Sequence, residues 1–144
     1  MIYLDSCALV KLVVTEDETP ALTGYLDGRR SDMVSSELAL TEVIRAARRS
    51  CFDPRRRRHV GQRVLDDRLA AATALLDRID LVVLDTATLI QAGGFDDDPH
   101  AGSLDAIHLA CARRIGANLA AFVTYDKTLA RAATDCGLPL AQPA

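Results

Sequence analysis

Apolar residues along this chain fall into short continuous runs, and between the runs they recur at helical spacing. Ile2-Tyr3-Leu4, Met33-Val34-Ser35, Leu81-Val82-Val83-Leu84 and Ala121-Phe122-Val123-Thr124 read as buried strands, with Leu138-Pro139-Leu140 as a last edge strand. The intervening stretches predict helices. One covers 6–14 with Ser6 as its cap, and a second covers 17–29, where Pro20 suits the first turn and Leu22 and Leu26 share a face. A third runs over 36–49 with Leu38, Thr41, Ile44 and Arg48 along one side, and Pro54 then marks a break before a long amphipathic helix over 57–78. Further helices are expected over 86–92, ended by Gly93-Gly94, over 103–115, capped by Ser103 and closed by Gly116, and over 127–136, followed by Gly137. Runs alternating with helices imply a mostly parallel sheet covered on both faces, an α/β architecture. No repeat, low-complexity tract or linker interrupts it, so residues 1–144 are expected to form one domain.

Composition narrows the picture. No apolar run approaches the ~20 residues that cross a bilayer. The opening Met1-Ile2-Tyr3-Leu4-Asp5 has no basic region and reaches a carboxylate at once, unlike a signal peptide. Cys7, Cys51, Cys111 and Cys136 lie far apart without a CxxC pair, which favours buried thiols in a reducing cytoplasm over a zinc site or a disulfide framework. The formal charge is −3, but the segment from Arg45 to Arg63 holds eight arginines against one acid, a local +7. Arginine is the residue of phosphate forks, and such a concentration reads either as a phosphate-contacting surface or as a solvated helix face.

In open α/β sheets, ligands bind outside the carboxyl ends of the strands, at a topological switch point. Asp5 and Asp126 fall there directly after predicted strands, as does Asp85. Asp105 lies in the first turn of the helix beginning at Ser103. Glu42 sits mid-helix among Leu38, Val43 and Ile44, an uncommon place for a glutamate without a partner. Converging carboxylates repel and raise one another's pKa values. A hard divalent cation reverses that penalty, because Mg²⁺ takes oxygen ligands and keeps several waters. Such a cluster suits phosphodiester hydrolysis, in which a metal activates water and stabilises charge on phosphate oxygens.

Each acid also has a structural reading. Asp5 and Asp126 suit helix caps, Asp105 suits the helix dipole, and Glu42 suits a surface pair with Arg45. Glu37 competes with Glu42, but five residues along a helix is a rotation of about 140°, so both cannot point inward. His108 reads as a core histidine with one hydrogen bond. Ser6 and Thr124 adjoin carboxylates and are placed to orient them. Asp96-Asp97-Asp98, in an expected loop over 95–102, lacks the glycine spacing of an EF-hand and reads as solvated.

The local strings add a family. Tyr3-Leu4-Asp5-Ser6-Cys7-Ala8-Leu9-Val10-Lys11-Leu12 resembles the first motif of PIN-domain ribonucleases, specifically the VapC toxins of VapBC toxin–antitoxin modules. Ser36-Glu37-Leu38-Ala39-Leu40-Thr41-Glu42-Val43-Ile44-Arg45-Ala46 is similar to the second motif. Leu104-Asp105-Ala106-Ile107-His108-Leu109-Ala110 is similar to the third, and Phe122-Val123-Thr124-Tyr125-Asp126-Lys127 to the fourth. The four arrive in family order and span almost the whole chain.

The resemblance implies a PIN-like three-layer α/β/α fold and a metal site of Asp5, Glu42, Asp105 and Asp126, which favours Glu42 over Glu37. It also implies Mg²⁺ or Mn²⁺ as cofactor and cleavage of RNA to 5′-phosphate and 3′-hydroxyl ends. Its implied partners are a second copy of the chain and a VapB-like antitoxin whose C-terminal segment blocks the site, all in the cytoplasm. Arg45, Arg48, Arg49, Arg55 and Arg56 are then candidate contacts to RNA or to the antitoxin. Two positions depart from the family pattern: Cys7 stands where serine is common, and Ala101-Gly102 precedes the third motif where arginine is common. They bear on the hydrogen bonding around the acids and on one phosphate contact. Asp85 matches no motif and reads as structural.

Two other readings compete. A HAD-like phosphatase also begins with an aspartate after its first strand, but it needs a second aspartate two residues on, where this chain has Cys7. A receiver-like protein-binding domain would leave the acids as surface features.

Overall fold

The computed structural model describes residues 1–29, 31–95 and 101–144. Its strands are β1 (Ile2–Leu4), β2 (Met33–Ser36), β3 (Asp80–Val82), β4 (Ala121–Val123) and β5 (Leu140–Ala141). Its helices are α1 (Ser6–Lys11), α2 (Thr19–Asp27), α3 (Ala39–Arg49), α4 (Gln62–Leu76), α5 (Thr86–Gly93), α6 (Ser103–Ile115) and α7 (Lys127–Asp135). The strands form one parallel sheet in the order β3-β2-β1-β4-β5. The chain therefore builds outward from β1 in one direction and returns to build in the other, which puts the switch point between β1 and β4. There Tyr3 pairs with Phe122 and Leu4 with Val123, and the Asp5 amide donates to the Val123 carbonyl at 3.1 Å.

Alternate residues of the central strands divide the core in two. Ile2, Leu4, Ala121 and Val123 pack with Leu9, Leu22, Val43, Ala47, Ala72 and Leu76, from α1 to α4. Tyr3, Val34 and Phe122 pack on the other side with Leu109, Ala112, Leu129 and Ala133, from α6 and α7. This is the expected three-layer α/β/α arrangement, and it follows from the period-2 alternation of a strand buried on both faces.

Several boundaries differ from the sequence expectation. The first helix stops at Lys11, and Asp5, not Ser6, caps it by accepting from the Ala8 amide at 2.8 Å. The third begins at Ala39, because Ser35 and Ser36 still pair with Leu81 and Val82 in the sheet. The long helix begins only at Gln62. Residues 51–59 instead form a hydrogen-bonded hook in which Phe52 bridges Arg58, the His59 amide donates to the Cys51 carbonyl at 3.1 Å, and Arg56 adopts a φ of +60°. Gly102 rather than Ser103 occupies the cap of α6, where the Asp105 carboxylate accepts from the Gly102 amide at 3.2 Å. The acidic run 96–98 lies outside the described residues. Cys51 and Cys111 are buried as expected, whereas Cys7 and Cys136 are only partly covered. Among the described residues no helix is long and apolar enough to cross a membrane.

Candidate active site

Asp5, Glu42, Asp105 and Asp126 line one cleft of about 460 Å³ at the carboxyl ends of β1 and β4, together with Ser6, Cys7, Lys11, Arg49 and His108. Four separate segments supply the acids, and in two cases, Asp5 and Asp126, the residue that caps a helix is also the one in the cleft. Asp5 is the most deeply placed, at 3% exposure. Its Oδ1 holds the start of α1, and its Oδ2 accepts from the Thr124 hydroxyl at 2.6 Å across the β1–β4 pair. Asp126 caps α7 through Oδ1, accepting from the Thr128 and Leu129 amides at 2.7 and 2.9 Å. Capping and cleft lining are therefore not alternatives: a cap fixes one carboxylate oxygen and leaves the other available.

Glu42 has the most elaborate support. Ser6 Oγ donates to its Oε2 at 2.6 Å, and His108 Nε2 lies 3.1 Å from the same oxygen. A carboxylate only accepts, so Nε2 donates to it, and Nδ1 shares a second hydrogen bond with the Tyr3 hydroxyl at 2.7 Å. Buried Tyr3, stacked on Phe122 at 5.3 Å, thus anchors His108, which anchors Glu42. His108 makes side-chain hydrogen bonds with Tyr3, Glu42 and Ser6 where one was expected. The only clue in the sequence is its position three residues after Asp105, on the same side of α6. Glu37 turns away, its Oε2 accepting from the Leu84 amide at 2.9 Å at the other edge of the sheet. Asp85 caps α5 and pairs with Arg114 at 3.1 Å, a structural role as read from the sequence.

Cys7 places Sγ 3.0 Å from each oxygen of Asp5 and accepts from the Tyr125 amide at 3.2 Å. It ties the acid after β1 to the turn that carries Asp126. Burial, then the neighbouring Asp5 charge, pushes the thiol up to about 12, so it remains a protonated donor at neutral pH. Lys11, which sequence reading missed, is 7% exposed in the cleft wall. Burial works against its charge, but Glu16 and Glu18, at 2.5 and 2.8 Å, hold its pKa well above the ordinary lysine range.

The electrostatics of the cleft are those of acids short of a counter-ion. Burial raises the Asp5 carboxyl above its ordinary value despite its hydrogen bonds. Burial also raises Asp105, and repulsion from Asp126 and Glu42 adds to it. Glu42 moves the other way, lowered first by the hydrogen bond from His108. Among the described residues, no salt bridge reaches Asp5, Asp105 or Asp126. Nor do three His, Cys, Asp or Glu side chains among them stand close enough to ligate one ion directly. The donor set still fits a hard cation. It is all oxygen, repels itself, and lines a solvent-filled cleft, and Mg²⁺ takes oxygen ligands while keeping several of its waters.

Of the five arginines expected to contact RNA or antitoxin, Arg45, Arg48, Arg49 and Arg56 line a neighbouring groove, and Arg55 is exposed outside its lining.

This fold and site define a class. Residues 2–135 match the PIN domain, and the chain belongs to the PIN-domain family. Within it, the chain is 39% identical to the ribonuclease VapC46 of Mycobacterium tuberculosis, over 99% of its own length and 97% of that protein's. It is 36% identical to the ribonuclease VapC35 of the same organism at the same coverage. The crystal structure of M. tuberculosis VapC20, a toxin that cleaves the sarcin–ricin loop, superposes with a TM-score of 0.67 at 17% identity, covering 92% of this chain and 95% of that one. That likeness supports the fold, and the first two bear out the VapC resemblance of the four motifs.

Proposed function

We propose that this chain is a VapC-type endoribonuclease toxin that hydrolyses RNA phosphodiester bonds with a divalent cation, Mg²⁺ or Mn²⁺. The observation that carries the reading is the convergence of Asp5, Glu42, Asp105 and Asp126 on one cleft at the β1–β4 switch point. Full-length similarity to VapC ribonucleases supports RNA as the substrate.

Asp5 and Asp105 are the principal candidates to hold the ion, and Glu42 and Asp126 complete the set directly or through water. When bound, a hard divalent cation supplies Lewis acidity to phosphate oxygens and acidifies water. The chain's own residues supply position. Thr124 and the Ala8 amide fix Asp5, Ser6 and His108 fix Glu42, the Gly102 amide fixes Asp105, and the first turn of α7 fixes Asp126. Arg49, on the same cleft, offers the forked cation that orients a phosphodiester. In-line attack of water on phosphorus, with departure of the 3′-oxygen, leaves a 5′-phosphate and a 3′-hydroxyl. A VapB-like antitoxin that covers the cleft, a homodimeric state and a cytoplasmic location belong to the same proposal.

The test is cleavage. RNA ends sequenced from cells expressing the wild type should show discrete 5′-phosphate cuts that are absent with Asp105→Asn, while circular dichroism shows both proteins folded. Cuts of equal number and position in the variant would remove Asp105 from the site.

A further inference from the structure

The last turns of α3 and the hook that follows enclose a second groove, of about 690 Å³, lined by Arg45, Arg48, Arg49, Phe52, Pro54 and Arg56 among others. Arg49 lines both this groove and the acidic cleft. Glu42 and Arg49 are seven residues apart on α3, so they lie on one face of the helix with a rise of ~10 Å between them. The arginine groove therefore adjoins the acidic cleft along that face, with Arg49 at their boundary.

The groove is built rather than frayed. The Asp53 amide donates to the Arg57 carbonyl at 2.8 Å, the Arg57 amide donates to Asp53 Oδ1 at 2.8 Å, and the Arg56 amide donates to the Asp53 carbonyl at 2.8 Å. Arg56 holds a φ of +60° there, a conformation that ordinary side chains resist. Arg68 of α4 ties the base of the hook down by donating to the Ser50 carbonyl at 3.0 Å and to Ser50 Oγ at 2.9 Å. The one acid in the lining, Asp53, is already paired with Arg57 at 3.2 Å. Among the described residues, Arg45, Arg48, Arg49 and Arg56 have no salt-bridge partner. Phe52 leaves 36% of its surface exposed between them.

We infer that this groove is the track for the single-stranded RNA flanking the scissile phosphate, with backbone phosphates on Arg45, Arg48 and Arg49 and an unstacked base against Phe52. The inference rests on the ribonuclease reading and deepens it. An acidic peptide would neutralise the guanidiniums equally well. Two features favour RNA: the shared Arg49, which sets the groove directly beside the cleft, and the exposed ring, which suits a base free of its helix.

The test is binding without cleavage. Full-length protein in EDTA is titrated into a fluorescein-labelled, mixed-sequence, single-stranded RNA 12-mer, and anisotropy is followed across a salt series. Arg48→Ala should weaken binding and flatten the slope of log K against log salt by about 0.7, and Arg45→Ala combined with it by about twice that. Phe52→Ala should weaken binding at least about fivefold at every salt concentration, with the slope unchanged, and Phe52→Tyr should restore it. Unaltered affinity and slope in these variants, with melting temperatures near wild type, overturns the track. So does a poly-glutamate peptide that binds more tightly than the RNA in an Arg48-dependent, Phe52-independent way, which would assign the groove to a protein partner. The two levels fail separately. Loss of groove dependence while cellular RNA is still cut removes the track alone, and absence of cutting while groove-dependent binding persists removes the nuclease reading alone.

Discussion

The acidic cleft and the arginine hook lie side by side, yet they are built on opposite principles. The cleft draws its acids from four places in the chain, and each is fixed by bonds to at least one backbone amide or to a side chain of another element. The hook is contiguous, closes on itself through bonds among residues 51–59, and leaves its guanidiniums in solvent. The contrast is one of preorganisation. A site that must hold like charges together needs each carboxylate fixed by the fold, whereas a surface that meets phosphates tolerates long cations that settle on contact.

The sharpest way to break the comparison is at His108, the link between buried Tyr3 and Glu42. His108→Ala removes the link between Tyr3 and Glu42 and should lower cleavage by about 10- to 100-fold, the usual cost of losing a group that orients a ligand. His108→Gln, which keeps an amide donor for Glu42, should recover part of that loss at a similar melting temperature. Equal activity in both variants and wild type would show that Glu42 needs no such anchor.

A smaller effect is expected from the burial of Asp5. Its folded pKa is raised, so the folded state binds more protons than the unfolded one over the window from 3.8 up to the raised value. The stability of ion-free protein should therefore fall as pH climbs through that window. In EDTA, Asp5→Asn should melt a few degrees above wild type at about pH 8 and lose that advantage near pH 4, as thermal scans would report. Mn²⁺ should raise the melting temperature of wild type but not of the variant. A variant that melts lower at every pH would mean that the capping of α1 outweighs the buried charge.

The smallest effect belongs to the hook. Asp53→Ala removes the side chain that closes it but should change global stability by no more than about 1 kcal/mol, because the pair with Arg57 is largely exposed. Hydrogen exchange should nevertheless quicken at residues 53–58. A large global loss would show that the hook is part of the core.

Asp5 and Asp126 were legible because a strand ends just before each, and strand ends are where α/β sheets keep their ligands. Hydrophobic runs also placed every strand to within a residue or two. The errors fell where side chains or close turns compete with periodicity. Four consecutive arginines, Arg55 to Arg58, look like a helix start, yet the Asp53 cap-like bonds and the positive φ of Arg56 fold them into a hook. Lys11 carries no signal in the sequence, because its partners Glu16 and Glu18 reach it only after the chain turns back toward α2.

By itself, then, the sequence determined the layered parallel architecture, the four family motifs and the acids within them, because strand alternation, helix periodicity and motif spacing are local properties. Only the tertiary structure decided how the acids are held. Ser6 and His108 meet Glu42 across 36 and 66 residues, and Thr124 meets Asp5 across 119. It also separated Glu42 from Glu37, by sending the latter to the Leu84 amide at the far edge of the sheet. Contacts over such separations exist only once β1 lies between β2 and β4, and that is why local pattern can name the carboxylates but not the bonds that aim them.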